Sequence, residues 1–139
     1  MKSSLTAGSG DVERAPAHFV RVFKALDWDA FAACFAEDAT VFAPFPDHPR
    51  MAVGKSAFDL AWRPVFERGR AHLPGPPYLN IDPKDTKVQP LGDNACLVSF
   101  HLEGLMGSPR LHRRSIVFEK RDGRWLIVHL HASVASEAM

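Results

Sequence analysis

Two runs rich in β-branched and aromatic residues, Ser115-Ile116-Val117-Phe118 and Trp125-Leu126-Ile127-Val128-His129-Leu130-His131-Ala132-Ser133, flank Arg121-Asp122-Gly123-Arg124. Asp-Gly between such runs predicts a tight hairpin, because both residues tolerate positive φ. The second run alternates. Leu126, Val128, Leu130, Ala132 and Val134 share one face and read as core; Trp125, Ile127, His129, His131 and Ser133 share the other. That second face is large, amphipathic and half polar, as a face covered by another subunit would be, so it is read as a dimer interface.

The rest of the chain falls into elements by its period. From Pro16, the apolar residues Phe19, Val20, Val22, Phe23 and Leu26 recur at helical spacing around Arg21 and Lys24. Asp27 is placed to cap a second, shorter helix over residues 28–36. Residues 38–43 read as a short strand stopped by Pro44, and residues 44–51, with three prolines, as a loop. Ser56 opens a third helix to about residue 66, which Pro64 should kink or shorten. Strands are then expected over residues 78–90, 95–105, 111–120 and 125–134, with turns at Gly92-Asp93-Asn94 and at 104–109. Helices early and an antiparallel meander late make an α+β cone with a cavity under the helices.

Composition narrows the function classes. The chain has 139 residues and a formal charge of +1, so no electrostatic argument favours nucleic acid or an acidic membrane. Residues 1–14 read as a flexible leader and 15–139 as one domain. Residues 1–10 lack an apolar signal core and no run reaches membrane-spanning length, so a cytoplasmic location is expected. Cys34 and Cys96 stand among apolar neighbours without CxxC or zinc spacing and read as buried thiols. No GxGxxG, P-loop, GxSxG or HExxH motif occurs, and no cofactor is called for.

The element order and three segments carry a resemblance: Asp38-Ala39-Thr40-Val41-Phe42-Ala43-Pro44, Leu91-Gly92-Asp93-Asn94-Ala95-Cys96-Leu97, and residues 121–133. Together they resemble the NTF2-like superfamily in its SnoaL-like branch (the cystatin-like fold). In motif the nearest likeness is to the association, or hub, domain of calcium/calmodulin-dependent protein kinase II. The likeness spans residues 15–134 and implies a helix-covered, strongly curved sheet. It also allows a test against the ketosteroid isomerases of the same superfamily. Their general-base aspartate corresponds to Ala43, their first-helix tyrosine falls near Val22, and no carboxylate lies on residues 110–118 for the second oxyanion donor. Steroid isomerisation by those residues is therefore excluded. The hub domains' cavity arginines correspond here to His101, Ile116 and Ala132. The family's carboxylate site is weakened by these changes unless Arg114, on the same face as Ile116 and in line with His112 and Phe118, takes over as the anchor for an anionic ligand; the alternative for Arg114 is an edge-exposed cation.

Other candidates stand beside Arg114. His101 and Glu103 alternate on one strand as an acid/base pair. The period of Val98, Phe100 and Leu102 turns His101 away from the core, whereas the resemblance turns it into the cavity. Phe42, Phe58, Trp62 and Tyr78 can wall a pocket or simply fill the core. His129 and His131 project side by side; no third ligand is placed, so an interface role is preferred over a metal. Asp47 and His48 read as a solvated turn. The expectation is a pocket protein that binds a small apolar ligand with a polar or anionic handle, using His101, Arg114 and aromatic walls, with isomerisation, dehydration or hydrolysis as reactions typical of the superfamily. The alternative is a non-catalytic oligomerisation or ligand-sensing module like the hub domain. Either would be a homodimer or larger, without nucleic acid or membrane.

Overall fold

Helix α1 (residues 14–24) opens the computed structural model, which describes residues 14–138; the expected leader lies outside these residues except for Arg14, already helical. The helix buries Phe19, Val22 and Phe23 on one stripe. Asp27 caps α2 (Trp28–Ala33), accepting from the Ala30 N–H at 3.2 Å. This helix stops earlier than its period suggests, because Phe35 and Ala36 are claimed by strand β1 (Phe35–Phe42). The Ile127 N–H donates to the Cys34 carbonyl at 2.8 Å and starts that pairing. A two-residue strand, β2 (Ala52–Val53), pairs with β1 inside what reads in sequence as irregular chain.

Helix α3 (Lys55–His72) is longer than expected and runs straight through Pro64. The missing N–H of Pro64 leaves the Leu60 carbonyl without its helical donor. Both residues are exposed, so water can satisfy that oxygen and the helix continues. Its inner stripe of Phe58, Ala61, Trp62, Phe66 and Gly69 packs on the sheet. Gly69 marks the closest approach, where an added Cβ would stand 2.5 Å from Leu26 Cδ1. The rings of Phe19, Phe23, Phe31, Phe35, Phe58 and Phe66 form one aromatic cluster between helices and sheet, with Phe31 and Phe66 centroids 4.6 Å apart.

The meander consists of β3 (Lys84–Pro90), β4 (Ala95–Leu102), β5 (Arg110–Arg121) and β6 (Arg124–Ala138), with a short 3-10 turn at Leu105–Gly107. The full sheet has the order β2-β1-β6-β5-β4-β3, with β1 parallel to β6 and every other pair antiparallel. Residues 78–83 do not extend β3. Instead the Tyr78 and Leu79 N–H groups both donate to the Lys24 carbonyl, at 2.9 and 3.1 Å, tying this segment to the end of α1. At the last hairpin Asp122 (φ 52°) and Gly123 (φ 77°) both take positive φ, as the Asp-Gly pair predicts.

The faces of β6 require one correction. His129 pairs with Val117 and Ile127 with Phe118, so Val128 is an extra residue, a β-bulge. The bulge resets the alternation. Ile127 is fully buried beside Phe118, in the core with Leu130 and Ala132, and is not on the outer face where strict alternation puts it. Trp125 likewise packs half-buried against the core, and Leu126 and Val128 are only half-buried. His129 and His131 keep their expected outer side.

Candidate functional site

β5 carries two polar side chains into the space under the helices. His112, Arg114, Ile116 and Phe118 alternate on its inner face, and Arg114 stands in register between Phe100 on β4 and Ala132 on β6. The methyl of Ala132 leaves room beside the guanidinium. Leu102 and Val134 flank His112 in the same way. Together these strands, α1, α3 and the 44–45 turn enclose a cavity of about 280 Å³. Its walls include Phe23, Leu26, Phe45, Val65, Leu79 and Leu105, and its polar groups are Trp62, Ser108, His112 and Arg114. Among the described residues no carboxylate lines it.

Arg114 is the charged residue of this cavity and is only 4% exposed. Its Nη1 donates to the Arg113 carbonyl at 3.1 Å, and among the described residues no carboxylate pairs with it. Burial alone pushes the guanidinium pKa down to about 10, so it remains a cation at neutral pH. Both ring nitrogens of His112 are buried and without a hydrogen-bond partner, as is the Trp62 indole N–H. Burial, and then the neighbouring Arg114 charge, hold the His112 pKa below the usual imidazole range, which keeps the ring neutral at pH 7. Buried polar groups in folded proteins are nearly always satisfied, and three unpartnered ones meet at this one apolar cavity.

The other sequence candidates are dispersed. His101 lies on the outer side of β4, about 40% exposed, where its Nδ1 lies 3.2 Å from Asp85 Oδ2 on β3. Periodicity, not the resemblance, gave the correct face, since Phe100 and Leu102 on either side are buried. Glu103 is exposed beyond the end of β4. Phe42 also faces outward, its ring 5.0 Å from that of His131, while Phe58 is buried in the aromatic cluster. Tyr78 sits 5.0 Å beneath the Arg70 guanidinium, next to cavity-lining Leu79. Of the six residues proposed from sequence for the pocket, the cavity brings together Arg114 and Trp62. His112, which sequence reading placed on the core face without assigning it a role, joins them. Its signal was the polar pair His112 and Arg114 continuing the inward period of Ile116 and Phe118.

On the outer face, Thr40 Oγ1 and His129 Nδ1 lie 2.7 Å apart. Among the described residues no group of three His, Cys, Asp or Glu side chains is placed to hold a metal ion. Cys34 and Cys96 are free thiols; burial pushes Cys34 up to about 11 and Cys96 upward as well. No helix is long and apolar enough to cross a membrane.

The sequence profile of the SnoaL-like domain matches residues 12–137. The chain belongs to the SnoaL-like domain family. None of the curated proteins compared with the sequence matches it. Solved structures agree on the NTF2-like fold of this SnoaL-like chain. An NTF2-like protein of unknown function from Pseudomonas putida KT2440 superposes with a TM-score of 0.75 at 17% identity, over 96% of this chain and 94% of that one. The CaMKII hub homology domain of Chlamydomonas reinhardtii gives 0.70 at 21% identity, over 92% and 98%. A ketosteroid isomerase-like protein from Erwinia carotovora atroseptica gives 0.67 at 18%, over 92% and 96%. At these identities the likeness establishes the fold and leaves the site to its own residues.

Proposed function

We propose that this SnoaL-like protein binds a small organic anion, apolar over most of its surface, with its carboxylate held by Arg114. The observation that carries this reading is the buried guanidinium without a counter-ion. Sequestering a charge from water costs several kcal/mol unless a partner repays it, and this chain supplies none among its described residues. A planar fork of N–H donors at the edge of an apolar cavity suits a carboxylate. The volume, about 280 Å³, is at the small end of ligand cavities, which favours compact ligands such as aryl or short-chain acids.

A thermal-shift series with aromatic and aliphatic carboxylates tests the reading. A ligand at about 100 times its Kd stabilises the native state by about 2.7 kcal/mol, a rise of several degrees. The matching neutral amides should give none, and Arg114→Met should abolish the response. Equal shifts with acid and amide would remove Arg114 from recognition.

The second reading concerns assembly. Leu97, Val117, Leu126 and Val128 make a half-buried aliphatic strip on the outer face, around His129 and His131. A hub homology domain is among the structural neighbours. This supports a homodimer joined through the outer face, with Trp125 and Ile127 removed from that interface and the strip taking their place. Ligand binding and assembly use opposite faces of the sheet and are compatible.

A further inference from the structure

We infer that the cleft between the start of α1, the end of α2 and the β5–β6 hairpin is a second ligand site, one that takes an aromatic phosphate monoester. The cleft has a volume of about 400 Å³ and shares no lining residue with the Arg114 cavity. Arg14 and His18 come to it from α1, Arg124 and Trp125 from the hairpin, and Phe118 and Cys34 also line it. Among the described residues no carboxylate does. A cleft lined by one sign of charge focuses the field and raises the local concentration of anions. This site does not rest on the anion-binding reading of Arg114.

Donors reach the cleft from both sides. Arg124 is exposed, and among the described residues no carboxylate pairs with it; Arg121, its partner across the hairpin, takes the carboxylates of Glu119 and Asp38. His18 Nδ1 lies 2.8 Å from Arg21 Nη2. A guanidinium can only donate, so that nitrogen accepts and the neutral ring carries its N–H at Nε2. The Trp125 indole N–H is buried without a partner, whereas such donors are nearly always paired. Burial raises the Cys34 thiol to about 11, and the charges of Lys55 and Arg124 act against that rise, so the field of Arg124 reaches the Cys34 wall. A phosphate monoester brings about two negative charges at neutral pH and three acceptor oxygens to these donors. A carboxylate brings one charge and two oxygens. A flat ring attached to the phosphate meets the aromatic side chains of Trp125 and Phe118.

Cys34 gives the cleft its own reporter, since it is half-buried at the lining while Cys96 is fully buried. Labelling with N-ethylmaleimide at mildly alkaline pH, followed by mass spectrometry of the Cys34 peptide, reads occupancy, and 1-naphthyl phosphate is the probe. At about ten times its Kd the probe should slow labelling about tenfold, because only the free protein reacts. Inorganic phosphate and 1-naphthol at the same concentration should protect far less, and added salt should weaken protection by the probe, as the cations are exposed. Arg124→Glu should lose protection; each variant is compared with and without probe, because the charge at 124 also bears on the thiol itself. Trp125→Phe keeps a ring and removes the N–H, and should raise the Kd about fivefold. Arg114→Met should protect as the wild type does. No slowing in the wild type, or undiminished protection in Arg124→Glu, overturns the site. Loss of protection in Arg114→Met would place the probe in the other cavity and overturn it equally. Protection by inorganic phosphate as strong as by the probe would overturn the aromatic part of the ligand. None of these outcomes bears on the carboxylate series, which reads Arg114 alone.

Discussion

Arg114 and His112 bring polar groups into an apolar cavity, and their burial weakens the fold. Burial pushes the guanidinium pKa down to about 10, which corresponds to a penalty on the order of 3 kcal/mol for holding the charge inside. Arg114→Met, which keeps the length and removes the charge, is therefore expected to raise the unfolding free energy by about 1–3 kcal/mol while ending anion binding. Urea denaturation beside a ligand titration checks both halves; a less stable variant would mean that the cation is compensated within the fold. The imidazoles add a pH dependence. His112 is held below the usual range by burial first and Arg114 second, and His129 by burial first and His131 second, against a backbone hydrogen bond at Thr40. Each binds a proton more weakly folded than unfolded. Stability is therefore complete above the unfolded value of 6.5 and declines as pH falls through the lower folded values. Melting temperature should drop between pH 7.5 and 5, and a His112→Gln, His129→Gln double variant should show a shallower drop. An unchanged slope would assign the effect to other groups.

At the scale of elements, the bulge at Val128 matters most. A single extra residue moves Ile127 from the outer face to the core, since each step along a strand reverses the side. Ile127→Ala should cost about 2–4 kcal/mol, and Ile127→Asp should leave no cooperative unfolding transition, because a lone carboxylate would replace a fully buried side chain. A folded, merely dissociated Ile127→Asp protein would return this residue to the interface. α3 holds a comparable lesson. Pro64 reads as a break, yet its cost depends on whether the freed Leu60 carbonyl can meet water, and here Leu60 and Pro64 both lie on the exposed side of the helix. The end of α1 is held from outside: Arg70 Nη1 donates to the Ala25 and Leu26 carbonyls at 3.2 and 3.3 Å. Loss of these bonds in Arg70→Ala should cost about 1–2 kcal/mol and loosen the Leu26 and Leu79 walls of the cavity. Hydrogen exchange at the Tyr78 and Leu79 amides would register that loosening.

For the whole molecule, the sheet separates two kinds of surface. The inner face, under the helices, holds the cavity; the outer face holds the aliphatic strip and the histidine pair. Val117→Glu and His131→Glu place charges on that strip without entering the core, so each should keep the native circular dichroism. Sedimentation should then show monomers for both variants and dimers or larger rings for the unmodified chain. A monomeric wild type, or assemblies indifferent to both charges, would dismiss the outer face as the interface.

Local patterns in the sequence determined the amphipathic first helix, the Asp27 cap, the Asp-Gly hairpin with its two positive φ angles, the four-strand meander and the α+β class, because each depends on the period and turn chemistry of neighbouring residues. The inward direction of Arg114 was legible for the same reason, through its spacing from Ile116 and Phe118. Pairing between distant strands decided the remainder. β1 lies parallel to β6 from across the chain, the bulge at Val128 appears only when β6 is matched to β5, and β2 exists only because Thr40 and Val41 offer it an edge. The site belongs to both levels. That His112 and Arg114 share a face is a fact of local period, whereas the absence among the described residues of a counter-ion for Arg114 and of a hydrogen-bonding partner for His112 depends on which side chains the helices bring to meet them, and those are apolar.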